Sequence, residues 1–245
     1  MSMVNVLCIK WGQKYGPEYV NKLHSMVRRH LHRPFRFVCL TDDSRGIDPG
    51  IETKPIPEVG FAEFDERKPW TFGHGWLKLT SFADPLYDLQ GRTLFLDLDI
   101  VIVDSLDPFF EQEGEFIVIR EWDKQDGTGN TSCYLYTIGA HRDALQHLAE
   151  QYPASIADVR NEQEYITGFL ARQGKLRYWP EAWCRSFKRH CMPGLLGWFS
   201  EPFIPEGARI IVFHGKPNPP DAIAGVSGKW YRRVKPTRWV EQHWR

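Results

Sequence analysis

The chain reads as an α/β domain with a mixed, mainly parallel central sheet flanked by helices, and three observations predict it. The first is the opening alternation: a strand at Val4 to Lys10 (VNVLCIK), a helix from Pro17 to about His30, and a strand at Phe35 to Thr41 (FRFVCLT), the order that builds a parallel βαβ unit. The second is Thr93 to Ser105 (TLFLDLDIVIVDS), an apolar run continuous enough to belong to a strand covered on both faces. The third is size, since 245 residues support one sizeable domain and are short for two.

The first strand leads into Trp11-Gly12-Gln13-Lys14-Tyr15-Gly16, a glycine-punctuated loop. Pro17 suits the first turn of the helix, whose Val20, Leu23, Met26 and Val27 recur at helical spacing. The second strand ends in Asp42-Asp43. Ligands of parallel sheets bind at the carboxyl ends of the strands, so Lys10, Trp11, Tyr15 and Asp42 are placed to hold a nucleoside by stacking and hydrogen bonds. Trp11 and Tyr15 read equally well as loop anchors packed on the helix. The glycines form neither GxGxxG nor a P-loop, which argues against a dinucleotide or Walker site.

From Ile51 to Phe72 the chain is rich in proline and charge, predicting a weak strand and then an irregular loop. Gly73 to Asp84 (GHGWLKLTSFAD) reads as a helix carrying Lys78, which either reaches a phosphate or sugar or snorkels to the surface. Gly91-Arg92 opens the central strand. Beyond it follow a helical turn (LDPFF), a strand at Phe116 to Arg120, a polar loop from Glu121 to Asn130, and a strand at Cys133 to Ile138. Helices are predicted over His141 to Tyr152 and Asn161 to Ala171, the second beginning with a capping Asn and an acidic first turn. Glu162 and Glu164 fit a helix cap and a place in a site equally. Trp179 to Lys188 reads as strand and turn, and Arg209 to Phe213 as a strand ending in His214-Gly215-Lys216-Pro217.

Lys plus Arg and Asp plus Glu number 31 each, so no global field favours nucleic acid. No stretch approaches the roughly 18 consecutive apolar residues of a membrane span, and the N-terminus lacks a signal-peptide layout; a cytoplasmic protein is expected. Five cysteines are an odd count without framework spacing, and Cys184, Cys191 and His190 fit no standard zinc pattern. All read as structural. Aromatics at 14%, with ten Trp, suit flat rings and sugar faces. We divide the chain into a domain of residues 1–228 and a tail of residues 229–245, whose six Lys or Arg against one Glu alternate with Trp230, Tyr231, Trp239 and Trp244. Such a tail either attaches peripherally to an anionic membrane surface or packs back on the domain.

The chemistry centres on Asp97-Leu98-Asp99. In an extended chain residues two apart share a side, so both carboxylates address one point. Two ionised carboxylates at the edge of a core are costly unless a cation or hydrogen-bond donors compensate; a divalent metal is the direct compensation, and two aspartates capping a turn are the alternative. The strand end at His214 supplies complementary groups. An imidazole ligates manganese-like metals alongside carboxylates, Gly215 lets backbone N–H groups approach a phosphate, and Lys216 brings positive charge.

Several of these stretches together carry a resemblance: the N-terminal strand and loop, Trp76-Leu77-Lys78-Leu79, FLDLDIVIV, Asn130-Thr131-Ser132, Asn161-Glu162-Gln163-Glu164, Ser186-Phe187-Lys188 and FHGKPNP. In this order they resemble a glycosyltransferase of the GT-A fold, close to family 8, the group that includes glycogenin and bacterial lipopolysaccharide glycosyltransferases. The resemblance implies that Asp97 contacts the nucleoside side and the metal's surroundings, with Leu98 beside it on the nucleotide sugar. It further implies that Asp99 and His214 ligate Mn2+ or Mg2+, that Gly215 and Lys216 hold the diphosphate, and that Lys78 and Asn130 approach the donor sugar. Glu162, Gln163 and Glu164 match the segment facing the anomeric carbon. The expected reaction moves a hexose from a nucleotide-diphosphate sugar, UDP-sugar foremost, to a hydroxyl of a glycan, lipid-linked or protein acceptor, with retention. Contiguous His-Gly-Lys followed by Asn218, where the family spreads these residues before Pro-Trp, marks a divergent branch. A dehalogenase-like phosphatase also uses DxD, but wants it early in the chain and followed by a small hydroxyl residue, where Ile100 and Val101 stand. A sugar-nucleotide-binding module without turnover is the non-enzymatic alternative.

Overall fold

The computed structural model describes residues 3–58, 75–151, 154, 158–193, 200–227 and 234–245. Its elements are β1 (Val4–Lys10), α1 (Pro17–His30), β2 (Phe35–Thr41), β3 (Glu52–Lys54), a 3-10 helix (Trp76–Phe82), β4 (Arg92–Leu96), β5 (Ile100–Ile102), a second 3-10 helix (Asp107–Glu111), β6 (Phe116–Arg120) and β7 (Gly129–Thr137). There follow α2 (Arg142–Gln151), α3 (Glu162–Arg172), β8 (Leu176–Tyr178), β9 (Cys184–Ser186), a π-helical turn (Phe187–Cys191), β10 (Ile210–Val212), α4 (Pro219–Ala224) and α5 (Arg238–His243).

A seven-stranded sheet in the order β3-β2-β1-β4-β7-β6-β8 forms the body, and a three-stranded sheet, β5-β10-β9, lies beside it. The first four strands of the large sheet run parallel, β7 is antiparallel to both neighbours, and β8 returns parallel to β6. Period-two alternation explains how one strand serves two cores. Along β1, Val4, Val6 and Cys8 pack with Val20, Leu23 and Val27 of α1, while Leu7 and Ile9 pack with the 3-10 helix, α2 and α3 on the other face. Every residue of β1 is buried.

The expected single strand over 93–105 is instead two short strands in different sheets. The Asp97 N–H donates to the Ser132 carbonyl at 2.9 Å, on the large sheet, whereas the Asp99 carbonyl accepts from the Phe213 N–H at 2.9 Å, on the small one. Asp97-Leu98-Asp99 is therefore the crossing between sheets, and its backbone is satisfied from both. The expected helix from Gly73 is a 3-10 helix that begins at Trp76, its N-terminal part and the loop over 59–72 lying outside the described residues. Most other expected boundaries hold to within a few residues, but β8, α4 and α5 were not expected and the strand read from Trp179 forms only at Cys184–Ser186; Asn161 caps α3 by accepting from the Glu164 N–H at 3.0 Å. All five cysteines are buried and free.

The tail packs back on the domain where it is described, from Val234 on. Trp244 is buried edge-on against Tyr19, with ring centroids 5.1 Å apart, and Lys22 lies over its face. The indole N–H of Trp239 donates to the Pro202 carbonyl at 2.9 Å. Trp230, Tyr231 and the proposed boundary at 228 lie outside the described residues. Among those described, no helix is long and apolar enough to cross a membrane.

Candidate active site

The crossing residues Asp97, Leu98 and Asp99 line a cavity of about 380 Å³ together with Ile9, the loop from Trp11 to Tyr15, Gly75 and Lys78. The sheet brings β1 and β4 side by side, so the loop after one strand faces the carboxylates after the other. Trp11 packs on one core and Tyr15 on the other while both face the cavity; the anchor and ligand-wall readings are compatible. The Tyr15 hydroxyl donates to Asp99 Oδ2 at 2.6 Å. Asp42 does not line the cavity, and it accepts from the Gly12 N–H at 2.8 Å, tying the loop to the end of β2. Lys10 is buried beside Thr41 at the last position of β1 and also stands outside the lining.

Burial and the neighbouring Asp97 charge push the Asp99 carboxyl up to about 6, against the pull of the Tyr15 hydrogen bond and Lys78. Burial and the Asp99 charge likewise raise the Tyr15 phenol, so its hydroxyl remains a donor. Lys78 Nζ sits 2.7 Å from Asp97 Oδ2 and 3.7 Å from Glu162 Oε1. Burial works against its charge, but the two carboxylates prevail and raise its pKa. Lys78 is thus an ammonium held among acids, not a snorkelling surface residue.

The first turn of α3 fans its side chains out about 100° per residue, and the three polar groups part company. Glu162 is buried toward Lys78 and accepts from Thr131 Oγ1 at 3.3 Å. Gln163 Nε2 donates to Glu121 Oε2 at 3.3 Å, and Asn130 Nδ2 donates to the same oxygen at 3.1 Å. Glu164 turns away from them to Lys124 and Arg160, and it borders a different cavity with His147 and Tyr165. Burial opposes its charge, yet the hydrogen bonds from Lys124 and Arg160 hold its carboxyl down to about 2.

His214 leaves β10 with Nε2 2.6 Å from Ser186 Oγ and its ring stacked on Trp122 at 5.7 Å. Burial and the Lys188 charge lower its pKa, which favours a neutral imidazole. Lys188 donates to the His214 carbonyl. Gly215 has φ +69° and is exposed with Lys216; only glycine takes that turn without strain. Among the described residues, no three His, Cys, Asp or Glu side chains converge on a point that could hold a metal.

Glu121 and Trp122 were not singled out in the sequence. Their one signal was position, at the carboxyl end of a strand where a glycine-bearing polar loop begins.

No family model matches this chain, and no curated protein matches it. Solved structures do. A galactosyltransferase, LgtC, in complex with donor and acceptor sugar analogues superposes with a TM-score of 0.60 at 14% identity, over 88% of this chain and 88% of that one. The chain has the GT-A fold. An active-site mutant of LgtC agrees, with a TM-score of 0.59 at 14% identity over 93% and 92% of the two chains. At that identity the GT-A likeness is one of architecture, and it meets the fold expected from the sequence.

Proposed function

We propose that this protein is a metal-dependent glycosyltransferase that moves a hexose from a nucleotide-diphosphate sugar, a UDP-sugar foremost, to an acceptor hydroxyl. The observation that carries the reading is the pair Asp97 and Asp99 at the crossing between the two sheets, facing a nucleotide-sized cavity walled by Trp11, Tyr15 and Lys78. That this pair lies in the fold of a solved galactosyltransferase supports it.

In its chemistry the donor set suits a divalent cation, although Asp97, Asp99 and His214 do not converge on one point in this structure. A buried carboxyl that resists ionisation beside a second carboxylate is relieved by a hard cation, and a neutral imidazole at His214 extends the set toward manganese. Asp97, Asp99 and His214 would hold it, though His214 is engaged by Ser186 in this structure. A cation bound there neutralises charge on the departing diphosphate. The residues do the rest by positioning: Trp11 and Tyr15 flank the base, Lys78 brings an ammonium to the donor, and Gly215 with Lys216 offers N–H groups and charge to phosphate. Retention of configuration and a glycan acceptor rest on the family resemblance.

Consumption of UDP-, GDP- and TDP-sugars in Mn2+ tests the reading, with calorimetry of Mn2+ and UDP on variants. Asp99→Asn and His214→Ala should lose metal affinity and turnover together. Lys216→Ala should keep metal affinity and lose UDP affinity, because it removes a charge-assisted phosphate contact. A His214→Ala protein that binds metal and turns over normally removes His214 from the set, and a wild-type protein that consumes no nucleotide sugar overturns the function.

A further inference from the structure

The loop from Trp11 to Tyr15 walls the cavity beside Asp97 and Asp99, and hydrogen bonds tie it at two points. The Gly12 N–H donates to Asp42 at 2.8 Å, and the Tyr15 hydroxyl donates to Asp99 at 2.6 Å. Gln13 and Lys14 between them are exposed, and Gly12 stands at φ +57°, so little within the loop itself resists movement. What fixes the Tyr15 ring is the packing behind it. Tyr19, in the first turn of α1, lies against it with ring centroids 4.7 Å apart, and Tyr19 in turn meets Trp244 at 5.1 Å with 68° between the ring planes. Tyr19 and Trp244 are both buried. Three rings therefore run in contact from the end of α5 to the aspartate pair.

The helix α1 also fixes where Trp244 stands. Lys22 Nζ lies 4.0 Å over the indole and donates to the Trp244 carbonyl at 3.3 Å, while Arg29 donates to the carbonyls of His243 and Arg245. Two cations of one helix thus hold three successive carbonyls by charge-assisted bonds, at the end of α5 where carbonyls have no partner within their own helix. The Trp244 N–H closes α5 on the Val240 carbonyl at 2.8 Å.

We infer that Trp244 is a positioning residue: through Tyr19 it braces Tyr15, and with it the loop that walls the nucleotide cavity, against the aspartate pair. The inference rests on the proposed transferase reading for its effect on the nucleotide, but the brace is a property of the free protein. Close-packed side chains hold one another by contact, so emptying the place of the indole lets Tyr19 turn into it and leaves Tyr15 without backing. A loop held in place before its ligand arrives does not have to be ordered by that ligand.

Hydrogen exchange of the full chain, read by mass spectrometry on peptides covering residues 11–16, tests the brace. In Trp244→Ala these amides should exchange about three- to tenfold faster, the worth of one aromatic pair. Loop amides exchange by local opening, so their rates do not follow global stability. Leu148→Ala is the control: it opens a cavity in the opposite core, on α2, and should leave residues 11–16 as in wild type. Trp244→Phe keeps a ring against Tyr19 and should restore most of the protection. Should Trp244→Ala fail to fold, Tyr19→Leu interrupts the three rings at their middle with an apolar side chain in place, and the same acceleration is expected. In calorimetry, UDP affinity should fall by about three- to tenfold in Trp244→Ala and recover in Trp244→Phe. Exchange over residues 11–16 that stays at the wild-type rate, or that Leu148→Ala raises as much, overturns the inference, as does unchanged UDP affinity in a protein that binds UDP. If no UDP binds while the exchange follows Trp244, the transferase reading fails and the brace stands.

Discussion

Asp99→Asn should stabilise the metal-free protein at alkaline pH and do little at acid pH. The Asp99 carboxyl titrates at about 6 in the fold, against an ordinary 3.8, because it is buried beside Asp97. The folded state thus holds this proton more tightly than the unfolded chain. Below about pH 4 both states are protonated and Asp99 costs nothing; between about 4 and 6 only the unfolded chain ionises, and stability falls as pH rises. Above 6 the cost is complete, ~3 kcal/mol at 1.4 kcal/mol per unit of pKa. Asparagine imitates the protonated group, and its oxygen can still accept the Tyr15 hydroxyl. Urea unfolding in a chelator at pH 4 and pH 8 should show the variant matching wild type at the first and exceeding it by about 2–3 kcal/mol at the second. Saturating Mn2+ should close the gap for wild type alone, since binding at 100 times Kd is worth about 2.7 kcal/mol. An advantage equal at both pH values, or none at pH 8, would refute the reasoning.

Three other outcomes follow from the packing. Glu164→Gln should spare turnover and lower the melting temperature by about 2–4 °C, a loss of about 1 kcal/mol, because its carboxylate serves Lys124 and Arg160; its contribution is complete above the ordinary carboxyl value of 4.5 and is lost progressively as pH falls to about 2, so the difference should hold at neutral pH and shrink through that acid window. Near-native turnover in Glu164→Gln but not in Glu162→Gln would separate the two acids, and scanning calorimetry with a donor-consumption assay measures both. Trp244→Ala should destabilise by about 3 kcal/mol in urea unfolding, since it empties a buried aromatic site against Tyr19. Asn161→Ala should cost about 1 kcal/mol by removing the α3 cap, read as a shift in the urea midpoint at unchanged slope.

Much of the architecture was legible because it is written in local periodicity. The apolar β1 and β2, the stripe of α1, the Asn161 cap and the paired carboxylates all depend on neighbours within a few residues, and each is found where expected to within a residue or two. The strand through the aspartates was misread as continuous for the same reason. Alternation in 93–105 is satisfied by any covered sheet, and nothing local says that the partner changes from β7 to β10 between Asp97 and Asp99.

By itself the sequence determined the chemistry on offer: two carboxylates in a core strand, a lysine among apolar residues, a His-Gly-Lys strand end, and the α/β alternation that gathers strand ends on one side. Only the tertiary structure decided their partners. Tyr15 reaches Asp99 across 84 residues, Lys78 lies between Asp97 and Glu162, Glu121 accepts from Gln163 across 42 residues, and Glu164 is drawn away from its neighbours to Lys124. A hydrogen bond depends on distance and direction within a few ångströms. Those are set by how sheets and helices pack and not by separation along the chain, so the acceptor that each donor finds emerges only when the fold closes.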